Sequence, residues 1–208
     1  MLVSIEGIDG SGKSTVVGRL SEYFEERCKR ETSAPHKPKV CDAVFTREPT
    51  DSWIGEKVTS SVEGERKLSP MAEFFLFVAD HADHVDSVVE PALEDGRLVV
   101  SDRYVDSRLA YQAVSLQGKV ESPLEWIRSV HDGWTVYPDL TLLLDVDPET
   151  AVERTHATAK YERTEFLERV RDNYMSIASS DERFVVVDAS RPVNEVADDC
   201  RSEIMSRL

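Results

Sequence analysis

Cysteine is scarce. Cys28, Cys41 and Cys200 are the only three, an odd number without metal-like spacing. That excludes a disulfide framework and a cysteine metal site, and a reducing cytoplasmic setting is expected. No apolar run approaches the ~18 residues of a membrane-spanning helix. Met1 to Gly7 lacks the basic start and long apolar stretch of a signal peptide, so a first β-strand is expected there. Basic charge is also short: 40 acidic residues face 25 basic ones, a net charge of −15. A nucleic-acid-binding surface must be basic, so that partner is excluded, and a membrane surface is not expected either. Lysine is rarer than arginine and Asp is plentiful, a bias resembling that of proteins from high-salt cytoplasms.

What is present is an ordinary globular composition, 40% hydrophobic and 31% charged. The length fits one domain, residues 1–208. Short unalternating Val/Leu/Ile runs at Leu2–Glu6, Lys39–Thr46, Leu98–Ser101, Leu140–Val146 and Phe184–Val187 read as strands covered on both faces. Helical spacing lies between them. Val16, Leu20 and Phe24 repeat every four residues, and Ser69-Pro70 opens a helix running to about Leu93. Ser122 to Glu125 matches a capping box, Pro148 opens another helix, and Phe166, Val170, Tyr174 and Ile177 mark one more. Residues 30–38 form a polar connector. The alternation predicts a three-layer α/β domain with a parallel sheet and helices on both faces.

The strongest motif is the run Gly7, Ile8, Asp9, Gly10, Ser11, Gly12, Lys13, Ser14, with Thr15 behind it. It fits the phosphate-binding pattern G-x-x-x-x-G-K-[ST], between a strand ending at Glu6 and a helix beginning near Lys13. Glycines let backbone N–H groups turn around a polyphosphate, and the helix N-terminus adds positive potential. Lys13 is expected on the β- and γ-phosphates of ATP and Ser14 on Mg²⁺. The two asparagines, Asn173 and Asn194, are followed by Tyr and Glu, so the Asn-Lys-x-Asp guanine reader of a switch protein is missing.

Further segments stand in consistent order: Thr46 to Pro49 after the second strand, Phe75 to His81 on the long helix, and Ser101 to Tyr104 after the third strand. Ser107 and Ala110-Tyr111-Gln112 follow. Together with Glu6 to Thr15 they resemble thymidylate kinase along nearly the whole chain. The resemblance implies the P-loop NTPase fold, ATP and Mg²⁺ as cofactors, thymidylate as acceptor and a homodimer. It implies that Arg47 and Arg103 hold the acceptor phosphate and that Asp102 orients Mg²⁺ or its waters. It also implies that Asp9 meets the sugar hydroxyl, Phe77 stacks on the base and Tyr111 crowds a 2′-hydroxyl. Ser107 and His81 belong to the same acceptor set. The family pattern on the long helix ends Ala-x-Arg, and His81 stands where that arginine normally reaches the nucleotide. Some members carry Arg where this chain has Gly10, so the catalytic cation is expected from a lid at about 154–164, from Arg154 or Arg163, with Lys160 nearby.

The chemistry agrees. A phosphate acceptor is already ionised near neutral pH, so the site needs positive charge rather than a strong base. Plainer readings stand beside these. Arg47-Glu48 could be a surface ion pair, and Phe75 and Phe77 could be core. His81-x-x-His84 is expected to be a hydrogen-bonded or exposed pair rather than a metal site, with His36, His131 and His156 apart from it. A deoxynucleoside kinase, needing a carboxylate base, and a catalytically silent nucleotide-binding regulator are the rivals.

Overall fold

The computed structural model describes residues 1–31, 39–64, 68–155 and 164–208. Five strands, β1 (Leu2–Glu6), β2 (Val44–Arg47), β3 (Val99–Asp102), β4 (Leu140–Asp145) and β5 (Phe184–Asp188), form one parallel sheet in the order β2-β3-β1-β4-β5. The three inner strands are almost wholly buried, which explains their continuous apolar runs, while the edges β2 and β5 are half-buried.

Helices cover the sheet: α1 (Lys13–Glu31), α2 (Trp53–Val62), α3 (Pro70–His84), α4 (Glu90–Glu94), α5 (Val105–Ser115), α6 (Pro123–His131), α7 (Pro148–Arg154), α8 (Thr164–Ser180) and α9 (Val193–Ser206). The expected stripe on α1 is real, because Val16, Leu20 and Phe24 are buried against the sheet. Val170, Tyr174 and Ile177 are likewise buried on α8. No helix is long and apolar enough to cross a membrane, among the described residues.

Three local expectations change. The second strand begins at Val44, not Lys39, and Lys39–Asp42 is a 3₁₀ turn. Its only neighbour among the described residues is β3, which follows the turn at Gly96 (φ 71°), so pairing starts with Val44 N–H donating to Leu98 O. The long helix is capped by Ser69, which accepts from Ala72 N–H, but it is not uniform. Residues Val85–Val89 widen into a π turn, with Glu90 N–H reaching back to Val85 O, just before Pro91. A proline lacks the N–H for the regular ladder and crowds the carbonyl four residues back, so a wider turn accommodates it. Ser122 makes no capping box: at φ 45° and ψ 65° its hydroxyl bonds no helical N–H, and Pro123 alone starts α6.

Candidate active site

The loop between β1 and α1 leaves the central strand at its carboxyl end, where open parallel sheets bind ligands. Gly10 has φ 86°, and a Cβ there would lie 2.1 Å from Ala151 O. The loop thus passes against α7 with no room for a side chain at this position. Lys13 Nζ donates to Gly7 O (3.0 Å) and Ile8 O (2.9 Å), across the loop it belongs to. Burial and the neighbouring Arg103 charge bring its ammonium down to about 8.

A cleft of about 980 Å³ opens over this loop. It gathers Asp9, Gly10, Gly12, Lys13, Ser14 and Thr15 from the loop and the start of α1, Arg47 from β2, Asp102 from the end of β3 and Arg103 just after it. Register explains the gathering, since Arg47 pairs with Asp102 and Asp102 with Ile5. Ser14 Oγ donates to Asp102 Oδ2 at 2.6 Å. A hydroxyl and a carboxylate, both hard oxygen donors, fit Mg²⁺ carried in with nucleotide phosphates. No cluster of three or more His, Cys, Asp or Glu capable of holding a metal occurs among the described residues.

Arg103 has φ 67°, a left-handed backbone uncommon for a residue with a side chain. Its guanidinium pairs with Asp9, donates to Gly7 O (3.3 Å) and Ser107 Oγ (3.1 Å), and lies 5.0 Å from the Tyr111 ring centroid. Burial works against ionising Asp9, but the Arg103 and Lys13 charges hold its carboxyl below the ordinary value. Arg47 is exposed and paired with Asp51. Arg154 reaches the cleft from the end of α7, donating to Ala189 O at 3.0 Å. Arg163, Lys160, His36 and His156 lie outside the described residues, as does most of the expected lid.

Four acceptor-side expectations are not brought to the lining of this cleft. Phe77 is half-buried on α3. Ser107 Oγ donates to Glu6 Oε2 (2.6 Å), sits 3.0 Å from the Tyr174 hydroxyl, and is held beneath the loop. The carboxyl it meets is pushed up to about 7 by burial and by Asp106. Tyr111 is buried, and its hydroxyl accepts from Asp9 N–H at 2.8 Å, so it braces the loop.

His81 is fully buried, with Nδ1 2.7 Å from Glu48 Oε1 and Nε2 3.3 Å from Thr135 Oγ1. Both ring nitrogens are thus engaged by protein partners within the core. Burial and the Arg108 charge bring its pKa below the ordinary imidazole value.

The residues missed by sequence reasoning surround Glu48. It is buried, not a surface partner of Arg47. Its carboxylate takes Arg108 on one oxygen and the Nδ1 atoms of His81 and His84, each at 2.7 Å, on the other. His84 Nε2 lies 2.7 Å from Thr46 Oγ1. His131, expected to stand apart, joins through Arg108 Nε donating to its Nε2 at 3.2 Å, and burial with the Arg108 charge brings it down to about 3. Burial alone would raise the Glu48 carboxyl, yet Arg108 and His81 hold it well below its ordinary value. Asp80, buried on α3, accepts from Thr50 N–H (2.9 Å) and the Thr50 hydroxyl, fixing the loop just after the cis Glu48–Pro49 bond. Lys57 on α2 also lines the cleft.

The family model for thymidylate kinase matches residues 5–200. The chain is 44% identical over 209 residues to a protein of Methanococcoides burtonii named "Probable thymidylate kinase", covering 99% of this chain and 96% of that one. It is 50% identical over 200 residues to one so named from Methanosarcina mazei, covering 94% and 90%. It is 45% identical over 199 residues to another from Natronomonas pharaonis, covering 95% and 94%.

Proposed function

The chain belongs to the thymidylate kinase family, and from that premise we propose that it transfers the terminal phosphoryl group of ATP to the phosphate of thymidylate. The bond from the γ-phosphorus to the β,γ-bridging oxygen breaks, a bond to a thymidylate phosphate oxygen forms, and ADP leaves with thymidine diphosphate. The observation that carries this reading is the convergence of Lys13, Arg47 and Arg103 on the same cleft as the Ser14–Asp102 pair. Two polyanions must meet there, and cations are what their meeting requires.

In our reading Gly7 to Thr15 cradles the ATP phosphates, with Lys13 bridging β and γ. Ser14 and Asp102 would hold Mg²⁺, which would supply charge neutralisation to the nucleotide phosphates when bound. Arg47 and Arg103 grip the acceptor phosphate, with Asp9 steering Arg103. Arg154 faces the transferred group from the far wall. Tyr111 and Ser107 act from behind by holding Asp9 and Arg103 in place. A homodimer working in the cytoplasm completes the reading; Phe75, half exposed beside Trp126, leaves an apolar surface on α3 consistent with a second copy.

The test is to incubate the protein with ATP, Mg²⁺ and a panel of nucleosides and monophosphates and to identify the diphosphate formed. Thymidylate is the expected best acceptor, with deoxyuridylate weaker and ribonucleotides poor. A preference for adenylate or for any nucleoside overturns the assignment.

A further inference from the structure

Arg47 is the last residue of β2, and everything after it must be held for its guanidinium to face the cleft. Glu48 does the holding. Its N–H donates to Asp102 O at 3.0 Å, tying the loop to the strand end that carries the Mg²⁺-facing carboxylate. Its side chain turns inward to Arg108, one turn into α5, the helix that begins at Val105 just beyond Arg103 and Tyr104. The two histidines of α3 close the carboxylate from the other side, and His131 of α6 backs Arg108.

Burying a carboxylate and a guanidinium together gives little net stability compared with apolar residues of the same volume. This pair is not even fully satisfied, since Arg108 Nη2 and the nearby Tyr104 hydroxyl have no partner among the described residues. A purely stabilising core would be better served otherwise.

We propose that the buried Glu48–Arg108 pair is a positioning device for the acceptor phosphate, locking the Arg47–Thr50 loop to α5 so that Arg47 and Arg103 grip one anion together. Glu48 lines the cleft with the loop that carries it, but its carboxylate is turned to Arg108 and the two histidines, and Arg108 lies behind it, so neither side chain is assigned a substrate contact. The inference rests on the proposed function above, because it assumes that Arg47 and Arg103 serve the acceptor.

The experiment compares wild type with Glu48→Gln, Arg108→Met and the double variant Glu48→Gln/Arg108→Met, in steady-state kinetics and thermal melting. Removing one partner leaves a buried uncompensated charge and endangers the fold, whereas the double variant removes both charges at nearly constant shape. The expected result is a thymidylate KM raised about tenfold or more in the double variant, with ATP KM within about twofold and an unchanged melting temperature. A double variant that melts like wild type and keeps its thymidylate KM overturns the proposal, as does an equal rise in both KM values. Wild-type turnover with thymidylate tests the underlying reading separately. If wild type prefers another monophosphate, that acceptor's KM is compared, and calorimetric affinity for the acceptor decides the matter where turnover is lacking.

Discussion

Lys13 carries a charge whose hold on a proton is weakened by its surroundings, since burial and Arg103 bring it to about 8. A polyphosphate laid against it favours the charged form, so nucleotide binding and protonation are linked. Below about pH 7 the free protein already carries the proton, and affinity for ATP should be flat. Above 8 each bound nucleotide must recover a proton, and Kd should climb towards tenfold per pH unit. Calorimetric titration of ATP from pH 6.5 to 9.5 measures this, and a Kd independent of pH across that range contradicts it. Residues of this kind were legible because the chemistry is local: the loop motif names Lys13 and Ser14, and a carboxylate ending a buried strand names Asp102. Glu48 was not, since its meaning depends on Arg108, sixty positions away, and on histidines whose burial a sequence does not display. The burial of His81 was not legible for the same reason. It stands at a family position, but its environment turns it into the core.

At the scale of elements, strands and cap-marked helices were legible and crowded ones were not. α5 is buried nearly all round, with Leu109, Ala110, Tyr111, Ala113 and Val114 all covered, so it has no one-sided stripe to read. α2 is short and holds Gly55 and the run Thr59-Ser60-Ser61, poor helix formers that tertiary packing overrides. Its omission hid Lys57. α7 was legible through Pro148, and it ends by presenting Arg154 to the cleft, where its closing carbonyls favour a cation. With Gly10 barred from bearing a side chain, Arg154 is the described arginine on the loop's far wall. Arg154→Ala should therefore lower kcat by about tenfold, well below the ~10³ of a sole inserted arginine because Lys13 shares the load, while both KM values move little. Rates within twofold of wild type would leave its bond to Ala189 O as its whole role.

Across the whole molecule the dominant electrostatic fact is the net charge of −15. Part of the acid excess is paired at the surface, as in Arg30–Glu26, Arg191–Asp199 and Arg201–Asp198. Such exposed pairs contribute little and weaken with salt. Carboxylates outnumber the available cations, however, so repulsion among the remainder outweighs what the pairs lose. Raising ionic strength shortens the Debye length from about 30 Å at 0.01 M to about 3 Å at 1 M, which removes that repulsion from the folded state, where the charges are closest together. The melting temperature should thus rise as KCl is raised from 10 mM towards 1 M. The mechanism also fixes the shape of the curve: most of the gain should come below about 0.3 M, where screening changes fastest, whereas preferential exclusion of salt from the surface would grow steadily with concentration. Choline chloride at matched ionic strength should reproduce the early rise, because screening does not depend on the cation's identity. Sucrose should not reproduce it. A melting temperature that stays flat or falls between 10 mM and 0.3 M would show that the acidic surface carries no net self-repulsion, and the high-salt character read from the composition would fall with it.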